Sequence, residues 1–101
     1  MTLARSVIFT NPARHELLDA RDWYENESPG LGLRFRAAVE AEVERIAANP
    51  LQFPVVHRNI RRALLRRLPY ALMFVVESDG SVNVIACFHG SRDPVHWQRR
   101  M

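Results

Sequence analysis

The chain predicts an α+β fold in which a two-helix hairpin packs on a twisted, mainly antiparallel sheet, in the order β-α-α-β-β-β. Apolar residues recur at helical spacing on both sides of a Pro29-Gly30 break. Three strand-like apolar runs then fill the second half, and a short apolar run opens the chain. With 101 residues, 48% of them apolar, the chain is long enough for one two-layer core, so residues 1–101 are expected to form a single domain.

The opening run RSVIFT, residues 5–10, reads as a short strand stopped by Asn11-Pro12. The same dipeptide suits a helix start: Asn11 has a capping side chain, Pro12 fits the first helical position, and Glu16 lies near the positive end of the dipole. Ala13, Leu17, Ala20 and Tyr24 form an apolar stripe that Leu18 widens, and Arg21 can pair with Glu25 at i, i+4. His15, Asp19 and Trp23 line up beside the stripe, which leaves Trp23 partly exposed, either as a flank of the core or as a partner contact. A second helix is predicted from Pro29-Gly30 to about Ala48, with Leu31, Phe35, Ala38, Val39, Val43, Ile46 and Ala47 on one face and Glu40, Glu42 and Glu44 on a solvated side. Residues 51–59 follow Pro50 directly, hold Pro54 and show no clear period, so they are expected to be a loop. Strands are predicted over residues 60–68, 70–77 and 82–88 or 89. Asp79-Gly80 is a tight hairpin signal between the last two, because such turns demand positive φ angles. The four glycines are expected in turns.

All fourteen basic residues are arginine and none is lysine, so any general acid must be another residue type. Residues 1–50 hold six arginines against eight acids, a charge of −2, and residues 51–101 hold eight against three, a charge of +5. That asymmetry predicts an acidic helical side and a basic sheet side, although arginine without lysine is also what a GC-rich coding sequence leaves. No apolar run approaches the roughly 18 residues of a membrane span, and the start lacks a signal peptide's apolar segment. The expected location is the cytoplasm, with no membrane contact. Cys87, the one cysteine, lies in an apolar strand pattern and is expected to be a small buried hydrophobe. His15, His57 and His96 show no ligand spacing with acids or Cys87, so no metal site is expected, and no phosphate-binding glycine loop or other cofactor motif is present.

The ordered set of NPARHELLDARDWYE, SPGLGLRFRAAVEAEVERIAANP, RRALLRRLPYALMFVV and VNVIACFHGSRDPVHWQRR resembles the RelE/ParE superfamily of type II toxins, nearer to its ParE-like, plasmid-stabilisation branch. The resemblance covers nearly the whole chain and implies the same hairpin-on-sheet fold. It also implies a partner: a smaller cognate antitoxin, ParD-like or similar, whose tail wraps the toxin in a hetero-oligomer and through which alone operator DNA is contacted. Arg58, Arg61, Arg62, Arg66 and Arg67 place five cations in ten residues without an acid, and they are candidates for holding a partner or target, or form a solvated strand face.

RelE-type members are ribosome-dependent mRNA endonucleases, and that chemistry needs a base, an acid and cations on the phosphate. The resemblance places Tyr70-Ala71 where the nuclease branch carries a Tyr-Arg pair, and Trp97 near the place of a C-terminal catalytic Tyr. An indole N–H cannot exchange protons at a useful pKa. His89 with Arg92 is the remaining acid/base and phosphate pair, or else a polar strand exit with Asp93 as acceptor. The ParE-like branch is understood to poison DNA gyrase by binding, which asks for a surface and not an active site. Trp97 followed by Gln98, Arg99 and Arg100 has the composition of an interface anchor. The reading favoured is therefore a gyrase-binding toxin, more a binder than an enzyme. The alternatives are a ribonuclease using His89 and Arg92, and a non-toxic, antitoxin-binding co-repressor.

Overall fold

The computed structural model describes residues 5–91 and 94–100. Its elements are β1 (Val7–Phe9), α1 (Asn11–Glu27), α2 (Leu31–Ala48), a 3-10 turn (Pro50–Gln52), β2 (Val55–His57), β3 (Ile60–Leu64), β4 (Tyr70–Val76), β5 (Val82–His89) and a short α3 (Val95–Gln98). The strands form one sheet in the order β1-β5-β4-β3-β2. Neighbours are antiparallel except β1, which runs parallel to β5 with Val7 opposite Val82 and Phe9 opposite Val84. The predicted α+β architecture is thus the observed one, with α1 and α2 as a layer on a mixed sheet.

Several local expectations are corrected. Residues 51–59 are not simply a loop: Val55–His57 adds an edge strand to β3, continued by Arg62 N–H donating to the Pro54 carbonyl at 3.0 Å. Three residues are too few for an alternation to show. β3 stops at Leu64 and not at Leu68, and the turn that follows includes Arg67 at φ 64°. The cap of α1 is Thr10, whose hydroxyl accepts from Ala13 N–H at 3.3 Å, so Asn11 is the first helical residue and Pro12 the second. Arg21 pairs with Asp22 at 2.9 Å and leaves Glu25 to other work. The Glu25 carboxylate accepts from the Gly30 and Gly32 amides at 3.1 and 3.0 Å, meeting orphan donors at the start of α2. Gly32 therefore lies in a helix, where a Cβ would stand 2.9 Å from Glu25 Oε1 and 3.1 Å from the Arg21 carbonyl. Glycine lets the two helices meet there.

Glu42 is the largest departure from expectation, being 2% exposed within the buried stripe Phe35, Val39 and Ile46. Its spacing of 3 and 4 from Val39 and Ile46 puts it on the core face whatever its charge. Arg45 makes that burial tolerable by donating to Glu42 Oε1 at 2.8 Å while lying over the Phe53 ring.

Two apolar layers sandwich the sheet. The larger, between helices and sheet, includes Phe35, Ile46, Leu72, Phe74 and Val84. The second covers the opposite face with Ile60, Met73, Ile85, Phe88 and Trp97. A bulge lets β5 serve both: Phe74 faces Val84 and Met73 faces Ala86, so Ile85 has no opposite residue. Val84 and Cys87 consequently share the helical side, which plain alternation would forbid. The β4–β5 turn is the predicted one, with Gly80 at φ 88° and Asp79 accepting from the Ser81 hydroxyl and amide, which lowers the Asp79 pKa.

Candidate functional site

β5 outruns its three-residue partner β1, and this exposes a working end on the helical side. A small pocket of about 190 Å³ there is lined by Glu16, Asp19, Trp23, Tyr70, Cys87 and His89. His89 is half-buried, its ring set edge-on to Tyr70 at 5.2 Å, and its Nδ1 lies 3.0 Å from the Ser91 amide, which donates to it, and 2.7 Å from the Ser91 hydroxyl. One ring nitrogen is thus occupied by a local turn. Arg92 and Asp93, the expected companions of His89, lie outside the described residues. The Cys87 thiol is pushed up to about 12 by burial and, secondarily, by the Glu16 charge, so it is no nucleophile near neutral pH. Burial also raises the Tyr24 phenol. Among the described residues no group of three or more His, Cys, Asp or Glu side chains could hold a metal ion.

The C-terminal segment departs from its expected exposure. Trp97 is 6% exposed and packed in the second apolar layer, with His57 edge-on to it at 6.1 Å. Arg100 reaches round the sheet to clasp Glu16, at 2.9 Å to Oε1 and 3.0 Å to Oε2, and also donates to the Ile85 carbonyl at 2.8 Å. Glu16 Oε1 in turn accepts from the Cys87 amide at 3.1 Å. Acid and guanidinium together complete the stretch of β5 edge that β1 is too short to reach. Of this segment's candidates, Arg99 is exposed and Trp97 is not.

The basic run on β3 divides by strand alternation. Arg61 points to the helical side and donates to the Phe53 carbonyl at 2.7 Å. Arg58, Arg62, Arg66 and Arg67 are exposed, and Arg62 rims a pocket of about 180 Å³ on the outer face with Leu64, Phe88 and Trp97. Trp23 is 57% exposed on α1, away from that face.

A groove of about 710 Å³ between β1 and the two helices was not foreseen in the sequence. Val7, Phe9, Leu17, Leu18, Val39 and Val43 line its apolar floor, with Arg14, Arg36, Glu40 and Glu44 at the rim. Ile8, 55% exposed, stands on β1, the outermost strand of the sheet. The signal available in the sequence was the widened stripe: Leu18 and Val43 add apolar area that a three-residue strand cannot cover.

The comparisons agree with this geometry. No curated protein matches the sequence. Among solved structures, a chain of the chromosomal ParDE toxin–antitoxin system from P. aeruginosa superposes with a TM-score of 0.74 at 19% identity, over 85% of this chain and 96% of that one. A chain of the toxin–antitoxin complex RelBE2 from Mycobacterium tuberculosis gives a TM-score of 0.60 at 21% identity, over 86% and 99%. At such identities these likenesses speak for the fold. The sequence itself matches the family described as ParE toxin of type II toxin-antitoxin system, parDE, over residues 7–94. The chain belongs to the ParE toxin family, within the RelE/ParE superfamily of type II toxins.

Proposed function

We propose that this toxin acts by binding, with DNA gyrase as its target, and that a cognate antitoxin neutralises it. The observation that carries the reading is Trp97: near the place where the nuclease branch carries a proton-exchanging tyrosine, this chain has an indole enclosed in the second apolar layer. Ala71, at the position of a nuclease guanidinium, is likewise buried in that layer. What the outer surface offers instead is uncommitted positive charge on β3 and Arg99. The antitoxin's neutralising segment is placed in the groove beside β1, where an amphipathic element would cover Leu17, Leu18 and Val43, present its own charges to the mixed rim, and meet an unpaired strand edge. This pairing makes the toxin one part of a hetero-oligomer.

One observation favours the second reading, ribonuclease activity. The pocket beside His89 gathers an imidazole, a phenol and two carboxylates. Induction without antitoxin, scoring DNA synthesis, translation and SOS response in the first minutes, separates the two. The expected result is loss of DNA synthesis with SOS induction while translation continues. Immediate loss of translation with cleaved mRNA would make His89 and Arg92 the acting residues, and growth without arrest would leave only antitoxin binding.

A further inference from the structure

Four guanidiniums on β3 and its two flanking turns have no acid to meet. Residues 51–76 contain five arginines and not one aspartate or glutamate. Arg61 is engaged by backbone carbonyls, whereas Arg58, Arg62, Arg66 and Arg67 make no ion pair or hydrogen bond among the described residues. Concentrating like charges costs self-repulsion, and no packing requirement of the fold calls for them.

Two of the four occupy positions that the backbone would give to glycine. Arg58 has φ 51° and Arg67 has φ 64°. Arg58 opens the two-residue loop between the paired residues His57 and Ile60, and tight loops of this kind usually place glycine where φ is positive. Both side chains are exposed, so no burial of theirs offsets the unfavourable backbone, and what the positions supply is charge. The acids lie elsewhere: eight of the eleven fall within α1 and α2, on the opposite layer.

We propose that the β3 arginine row is a binding site for the phosphate backbone of double-stranded DNA. A strand advances about 3.3 Å per residue, so β3, Ile60–Leu64, holds the turn with Arg58 and the turn with Arg66 and Arg67 at ends on the order of 13 Å apart, with Arg62 between them. A duplex carries one charge per roughly 1.7 Å of axis, so every guanidinium can meet a phosphate without a fixed register. Single-stranded nucleic acid asks for aromatic stacking platforms. The aromatic residue among the exposed large hydrophobics is Trp23, on the helical layer. The contact is made by the toxin chain itself, is sequence-independent and so distinct from the operator recognition expected of the antitoxin, and does not depend on which enzyme the toxin poisons.

The test is fluorescence anisotropy of a short labelled duplex with the purified full chain across a salt series. The logarithm of the affinity should fall linearly with that of salt, and Arg58→Gly and Arg67→Gly should each reduce the slope by about 0.9. Their melting temperatures should be unchanged or raised, because glycine suits these φ angles. Arg62→Gln, mid-strand with ordinary backbone, should reduce the slope equally. Absence of duplex binding at low salt, slopes unmoved by all three substitutions, or tighter binding of single-stranded RNA or polyglutamate than of duplex would each overturn the inference. A chain that arrests growth yet ignores duplex DNA would overturn this inference alone and leave the toxin reading standing.

Discussion

Cys87 illustrates how one strand position acquires its chemistry from its neighbours. It is 2% exposed in β5, and the carboxylate nearest to it, Glu16, accepts its amide N–H. Both burial and that charge oppose a thiolate, so the group stays protonated to about pH 12 in the folded chain, against about 8.5 when unfolded. A raised folded-state pKa gives stability that is fully present below the unfolded value and is lost as pH rises toward the folded one. Wild type should therefore lose stability between about pH 8.5 and 12 more steeply than Cys87→Ala, by at most about 1.4 kcal/mol per pH unit. Urea unfolding of both proteins across that range checks it; parallel curves would mean that the thiol ionises as freely folded as unfolded. The sequence placed Cys87 in a buried strand correctly. The Glu16 contact joins residues 71 positions apart and had no local signature.

At the scale of elements, the disagreement over where α1 starts is open to direct measurement. Asn11 has the better capping propensity on paper, yet the hydroxyl that meets the Ala13 amide belongs to Thr10. Thr10 can cap because its backbone is extended, at φ −66° and ψ 162°, while its N–H donates to the Val84 carbonyl at the end of the β1–β5 ladder. The parallel pairing thus fixes the helix start. Thr10→Ala should cost about 1 kcal/mol, while Asn11→Ala should stay within about 0.5 kcal/mol, the range of unexceptional surface changes. Equal costs in urea denaturation would return the cap to Asn11. Glu42 carries the same lesson in α2: its spacing was that of a core residue, and its charge hid the fact. Phe53, a loop residue in sequence, helps bury it by supporting Arg45.

Across the whole molecule, the C-terminal segment works as a strap over the sheet. Trp97 closes the outer apolar layer and Arg100 ties the chain back to α1 through Glu16, the Arg100 and Glu16 side chains being 26% and 17% exposed. Truncation after Pro94 should therefore remove a buried aromatic and leave a partly buried carboxylate without its guanidinium, changes that cost about 3–5 kcal/mol for the aromatic alone. A fall in melting temperature on the order of 10 °C or more is expected. A truncated chain that melts like wild type would show the strap to be dispensable. Lost toxicity in such a truncation would report instability, and Arg99→Ala, which removes an exposed guanidinium, is the cleaner probe of target contact.

The α+β class, the helical hairpin broken at Pro29-Gly30, the Asp79-Gly80 turn, the buried cysteine and the segregation of acids from arginines are all legible in the order of the residues. These follow from local periodicity, turn chemistry and composition, which need no knowledge of distant residues. The family resemblance agrees with the family match. The tertiary structure alone decided which arginines are free, since strand parity turned Arg61 inward and Arg62 outward. It also decided that Trp97 is packing and Arg100 a tie, that the bulge at Ile85 puts Val84 and Cys87 on one face, and that β1 is too short to close the groove beside it. Each of these depends on contacts across the chain, whose partners local sequence does not specify.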